Sequence, residues 1–162
     1  MMNIYLLRHA AAESGFPDAN RPLSASGREQ ATKLGDFLRA KSGFQPTALW
    51  CSPYRRAQQT AELLLAAWGG SVQVRSDEEQ LEPERNPQPL VQSLQQLGQS
   101  VLVVGHNPNI SILASLLLSG EQARTRVYFN TASMVGLQWH PIPNYGQLGP
   151  CELDWMLDAS IL

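Results

Sequence analysis

The chain has 162 residues, a formal net charge of −2 and only two cysteines. That length suits one domain, residues 1–162, able to bury a substantial core without metal or disulfide support. The slightly acidic balance, with a pI near 5.9, excludes bulk attraction to nucleic acid or to an anionic membrane, so any anion site must be assembled from individually placed arginines. Cys51 and Cys151 are too few for a disulfide framework, and Cys51 lies in an apolar stretch where it reads as a small buried filler, which fits a reducing cytoplasm. Arg8 and His9 interrupt the first apolar run, so no secretory leader is expected. The stretch Ile110 to Leu118 is far short of a membrane span.

In chain order, Ile4-Tyr5-Leu6-Leu7 suits a buried strand and runs straight into Arg8-His9, followed by the small residues Ala10, Ala11 and Ala12. Glu13 to Asn20 carries Gly15, Pro17 and Asp18 and reads as a loop. Ser26 and Glu29 have capping-box spacing, and Ala31, Leu34 and Leu38 continue at helical intervals, predicting a helix from Ser26 to Lys41. Ala48 to Cys51 is a second strand. Ser52-Pro53 looks like the start of a helix reaching Trp68, with Pro53 in its first turn. Val72 to Arg75 is a short third strand, and Leu81 to Pro89 is a loop leading into a helix near Leu90 to Leu97. Val101 to Val104 is β-branched and apolar on both faces, as a central parallel strand should be, and it ends at Gly105-His106-Asn107-Pro108. A largely buried helix follows and stops near Gly120. Ser133 to Trp139 and Cys151 to Trp155 are further strands, joined by a Pro- and Gly-rich hairpin loop from Pro141 to Pro150. Short apolar runs alternating with helical patterns predict an α/β fold of three layers, a mainly parallel central sheet with helices on both faces.

Three of these strands deliver polar residues to what would be a single carboxyl edge, where open α/β sheets bind ligands. The first brings Arg8 and His9, the second Ser52 to Arg56, the fourth His106. A guanidinium beside an imidazole suits phosphate: Arg offers a planar fork of donors, and neutral His offers a lone pair able to attack phosphorus. Each residue also has a plainer explanation. Adjacent arginines such as Arg55 and Arg56 at a helix start are usually solvated, although the positive end of the helix dipole disfavours a cation there unless an anion sits beside it. His106 is as readily a satisfied core or capping histidine as a ligand, with Gly105 before it suggesting close backbone approach. His140, between Trp139 and Pro141, reads as a surface residue without a role.

Taken together, four blocks resemble the histidine phosphatase superfamily, and more narrowly its short SixA-type phosphohistidine phosphatase branch. They are Arg8-His9-Ala10; Arg21-Pro22-Leu23-Ser24 with Gly27-Arg28-Glu29-Gln30-Ala31; Ser52-Pro53 with Arg56-Ala57 and Gln59-Thr60-Ala61; and Val104-Gly105-His106-Asn107-Pro108. The blocks fall in the family's order and spacing from Ile4 to about Ser111, with weaker similarity at Thr131-Ala132-Ser133 and Trp155. The resemblance implies a phosphoglycerate-mutase-like fold and a phosphatase needing no cofactor and no metal. It implies His9 as the nucleophile, His106 as a donor to a transferring oxygen, Arg8 and Arg56 as catalytic ligands of the phosphoryl group, and Arg21 as a further substrate contact.

A proton donor is less clearly marked. Family members acting on alkyl phosphates use a carboxylic acid to protonate a poor alkoxide leaving group. Here Glu82 is either that acid or a solvated carboxylate in the acidic run Asp77 to Glu84. The position where mutase-like members carry an asparagine is occupied instead by Glu13, Ser14 and Gly15. The chain also lacks the long insertions by which mutase relatives enclose a sugar-like substrate.

Rival chemistries fail on spacing. A cysteine phosphatase loop wants five residues between Cys and Arg, whereas four separate Cys51 from Arg56, and there is no Gly-x-x-x-x-Gly-Lys-Ser/Thr run. Three scattered histidines without paired Asp or Cys spacing argue against a metal site. The leading expectation is a cytoplasmic enzyme hydrolysing phosphohistidine in a protein such as a histidine-containing phosphotransfer domain. Alternatives are a broad small-molecule phosphomonoesterase and a non-catalytic phospho-ligand binding module. Phosphate or sulfate is the expected occupant of the site; nucleic acid and membrane are not expected partners.

Overall fold

Seven residues of the first apolar run form β1 (Met2–Arg8), and the strand is buried on both faces because its alternate side chains enter two different cores. The structure is a computed structural model and describes residues 2–41, 43–140 and 151–162. Ile4 and Leu6 pack with Val101, Val103, Leu90, Leu94, Ile110 and Leu113 on one side. Tyr5 and Leu7 pack with Leu102, Val104, Leu34, Leu38, Leu64 and Leu65 on the other. Each such leucine contributes on the order of 1.5–3 kcal/mol by leaving water. The strands are β1, β2 (Ala48–Cys51), β3 (Val74–Asp77), β4 (Val101–Gly105), β5 (Ser133–Trp139) and β6 (Cys151–Asp158). The helices are α1 (Ala25–Ala40), α2 (Arg55–Trp68), α3 (Gln88–Leu97) and α4 (Asn109–Ser119). α1 and α2 cover one face of the sheet, α3 and α4 the other, giving the three layers that the alternating pattern predicts.

The sheet order is β3-β2-β4-β1-β5-β6, parallel from β3 through β1, with β5 antiparallel to both β1 and β6. Register decides what meets at the carboxyl edge. Arg8 pairs with Gly105 and Cys51 with Val104, so the next residues, His9, His106 and Ser52, emerge side by side from three adjacent strands. Main-chain bonds carry that register past the strand ends, from His9 N–H to the Gly105 carbonyl at 3.0 Å and from Ser52 N–H to the Val104 carbonyl at 2.9 Å.

Several boundaries differ from the sequence expectation. α1 is capped by Ser24, whose Oγ accepts from Gly27 N–H at 3.1 Å, and the expected Ser26–Glu29 box does not form. Ser24 is fixed there because its own N–H donates to the Ala11 carbonyl, while Glu29 pairs with Lys33. α2 begins at Arg55, after Pro53, because Ser52 remains bonded to the sheet. β3 runs two residues later than Val72 to Arg75. It is an exposed edge strand whose place is set by pairing with β2, and Val72 only packs against the core. β6 continues past Trp155 to Asp158 along β5. The expected Pro141 to Pro150 hairpin loop lies outside the described residues. Gly120 ends α4 in the left-handed conformation, φ 79°, as glycine readily does. Among the described residues no helix is long and apolar enough to cross a membrane. Both cysteines are buried and free.

Candidate active site

His9 and His106 stand just past the ends of the neighbouring parallel strands β1 and β4, with ring centroids 5.0 Å apart, and are 8% and 2% exposed. The Nδ1 atom of His9 lies 2.7 Å from the carbonyl of Ala10. A carbonyl only accepts, so Nδ1 carries the proton and Nε2 carries the lone pair. The Nε–H of Arg56 donates to that same Nε2 at 3.3 Å, and since a guanidinium cannot accept, both contacts select one tautomer. Burial, opposed by the Ala10 hydrogen bond and reinforced by the lesser effects of the Arg56, Arg8 and Arg21 charges, pushes the pKa of His9 down to about 4. At neutral pH His9 is therefore an uncharged imidazole with its lone pair facing a guanidinium edge.

His106 is held by Ser52, whose Oγ is 2.8 Å from Nε2. Ser52 Oγ also accepts from the N–H of Tyr54 at 3.2 Å, and among the described residues His106 is the one acceptor its hydroxyl proton meets. With that proton on Nε2, the ring carries its own hydrogen on Nδ1, which is buried without a partner. An orphaned N–H beside the free Nε2 lone pair of His9 is a donor open to an incoming oxygen. Burial, followed by the nearby His9 and Arg56, pushes the pKa of His106 down to about 3, so this donor is neutral as well.

The arginines close the pocket. Arg8 donates through Nη1 to the Phe129 carbonyl at 2.9 Å and keeps a buried Nε with no partner. Arg56 points inward, 5% exposed, from the first turn of α2, while Arg55 faces solvent, so one of the adjacent pair turns in. The backbone of α2 is tied to the segment after β1 by Thr60, whose Oγ1 accepts from Ala10 N–H at 3.0 Å and donates to the Arg56 carbonyl at 2.6 Å. α1 closes on the same loop: Gln30 Oε1 accepts from Ala11 N–H, and a Cβ on Gly27 would overlap the Ala11 carbonyl oxygen.

Arg21 and Glu82 stand apart from these four. Arg21 donates through Nε to the Glu13 carbonyl at 2.7 Å and through Nη1 to Asp18 Oδ1 at 2.8 Å, and it bonds to neither histidine. Asp18 in turn receives Arg56. The Glu82 carboxylate lies 3.6 Å from Arg85 Nε and makes no hydrogen bond or ion pair with His9, His106, Arg8 or Arg56, while its main-chain carbonyl is bound by Asn109 of α4. His140 is a surface residue 3.8 Å from Glu152. Among the described residues no three His, Cys, Asp or Glu side chains gather as they would around a metal. Sequence reasoning assigned no role to Ser52 or Asp18. A serine at the end of an apolar strand signalled the former, whereas nothing local distinguishes Asp18 from an ordinary loop aspartate.

The model of the histidine phosphatase superfamily (branch 1) matches residues 4–82. An uncharacterized protein of Mycobacterium tuberculosis is 35% identical over 118 residues, 70% of each chain. Among solved structures, the protein histidine phosphatase SixA complexed with tungstate superposes with a TM-score of 0.84 at 22% identity over 99% of both chains. A Nakamurella multipartitia structure assigned as a phosphohistidine phosphatase SixA is 27% identical over 97% of this chain and 95% of that one, with a TM-score of 0.69. A mycobacterial glucosyl-3-phosphoglycerate phosphatase in complex with inorganic phosphate is also similar, TM-score 0.67 at 21% identity over 98% and 99% of the chains. Sequence match and architecture agree: the chain is a phosphatase that belongs to the histidine phosphatase superfamily and has the fold of its SixA-type members.

Proposed function

We propose that this phosphatase hydrolyses phosphohistidine in a protein substrate, such as the phosphotransfer domain of a signalling relay, through a phosphorylated His9. The Nε2 lone pair of His9 attacks phosphorus in line, the P–N bond to the substrate breaks, and the substrate imidazole leaves as a neutral ring carrying a proton taken from solvent. Water then attacks the phosphorus on His9, regenerating the imidazole and releasing phosphate. Arg8 Nε, Arg56 and the Nδ1–H of His106 would receive the phosphoryl oxygens. One such donor aimed at developing charge is worth on the order of 100- to 1000-fold in rate. Arg21, held one residue further out, would contact the phosphate or substrate only at the mouth.

The observation that carries the substrate choice is that, among the described residues, no Asp or Glu carboxyl is hydrogen-bonded to either histidine. Glu82 is paired with Arg85. Asp18 is kept ionised, its carboxyl pushed below the usual range chiefly by the hydrogen bond from Arg21. An alkoxide leaving group needs an internal acid, whereas a protonated phosphohistidine ring does not. Phe16 and Tyr128, 97% and 75% exposed, sit next to loops that contribute to the pocket and fit a surface that meets another protein. A second reading, small-molecule phosphomonoesterase, is favoured by a cavity of about 390 Å³ between the start of α4 and residues 122–129, which adjoins Arg8 through Phe129.

The deciding experiment offers a phosphohistidine protein and a panel of alkyl phosphates to wild type and His9→Ala. Phosphate release from the protein by wild type alone supports the proposal. Release only from the alkyl panel selects the second reading, and equal release by both proteins overturns the nucleophile.

A further inference from the structure

We infer that Asp18 is a positioning residue for the phosphatase reaction, clamping one edge of Arg56 so that the guanidinium's other edge faces the phosphorus bound at His9. A guanidinium has two useful edges, one made of Nη1 and Nη2 and one made of Nε and Nη2. Asp18 takes the first: Oδ2 accepts from Nη2 at 3.2 Å, Oδ1 from Nη1 at 3.4 Å, and its main-chain carbonyl from Nη1 at 2.9 Å. The second edge is left facing His9, with Nε 3.3 Å from the nucleophilic Nε2. A group transferred to Nε2 must therefore lie against Nε–H and the remaining Nη2–H.

The clamp is itself braced. Asp18 Oδ1 also receives Arg21 Nη1 at 2.8 Å, and Arg21 is fixed by the Glu13 carbonyl, so one carboxylate joins two guanidiniums on the loop that follows β1. Asp18 is half-exposed and Arg56 almost fully buried, which makes the carboxylate the only anion paired with that buried charge among the described residues. Arg21 thus acts on the reaction through Asp18 and Arg56. Misplacing Arg56 by an ångström would cost catalysis more than binding, because the charge on the phosphoryl oxygens in the transition state has a stricter geometry than in the ground state.

The role rests on the proposed chemistry at His9, and the test separates the two. Affinities for orthovanadate, which adopts the five-coordinate geometry of phosphoryl transfer, and for inorganic phosphate are measured calorimetrically for wild type, D18N, R56A and D18N/R56A, alongside kcat and KM. D18N is expected to lower kcat about 10- to 100-fold with a much smaller change in KM. It should also erase at least about tenfold of the preference for vanadate over phosphate, with no further loss when combined with R56A. A merely structural role would weaken both anions together. An unchanged preference in D18N, or losses that multiply in the double variant, would overturn the assignment. Failure of the wild type to act on a phosphohistidine protein would sink the substrate proposal and leave the anion affinities readable.

Discussion

The burial that keeps His9 and His106 neutral has a cost in acid, and its size follows from the structure. Both pKa values lie below the ordinary histidine value near 6.5, at about 4 and about 3. Between those values and 6.5 the unfolded chain binds protons that the folded chain refuses, so stability is complete above pH 6.5 and falls as pH drops toward the folded values. From pH 7.5 to pH 5.0 the linkage relation gives about 2 kcal/mol for each ring and about 4 kcal/mol together. A domain of this size has on the order of 5–15 kcal/mol in total. Asp18 and Asp158 have carboxyl pKa values below the usual range, so they withdraw stability only at pH values lower than 5.0. Urea unfolding of wild type, H9Q, H106Q and the double variant at both pH values isolates the two rings. Wild type should lose about 4 kcal/mol, each single variant about half of that and the double variant almost nothing. A wild-type loss under about 1 kcal/mol, or an equal loss in the double variant, would refute the claim that these imidazoles are held neutral by burial.

The same depressed value makes the acid limb of the free enzyme unusual: at pH 5.5 more than about nine-tenths of His9 remains unprotonated, against about one-tenth for an ordinary histidine. The ratio kcat/KM at pH 5.5 should thus stay within about twofold of its value at pH 7 in a stopped assay. Ser52→Ala removes the hydroxyl that fixes the His106 tautomer and should lower kcat by about tenfold or more while leaving the circular dichroism spectrum unchanged. Gly27→Ala forces a methyl group into the Ala11 carbonyl, so thermal melting should show a loss of about 1–3 kcal/mol together with reduced activity, since the displaced loop carries His9.

What could be read in the sequence was decided by local chemistry. The β-branched run Val101 to Val104 has one sensible structure, and parallel pairing with β1 then places Gly105 beside Arg8, so the meeting of His9 and His106 follows from two strand patterns. The inward turn of Arg56 was legible because a cation at a helix start needs an anion. Ser26 misled because capping-box spacing cannot reveal that Ser24 is already pinned to Ala11. Asp18 and the pairing of Glu82 with Arg85 were hidden for a related reason. Both are contacts made by loop side chains, and a loop's hydrogen-bond partners are set by where the packed elements carry its ends.

These contacts also suit the pocket to the phosphoryl dianion of the proposed reaction. Arg8, Arg21 and Arg56 against the single carboxylate of Asp18 leave 3 − 1 = +2 in a cleft whose two histidines add nothing, being neutral. Protonating either ring would raise the positive charge but destroy the lone pair on His9 or add a buried cation among three others. In the proposed reaction the arginines therefore do two jobs through one field: they attract the dianion, and they add to the burial that chiefly keeps a proton off His9. Asp18 sets the balance between the two, because without it the guanidiniums would repel one another and lose the orientation that aims Arg56 at His9.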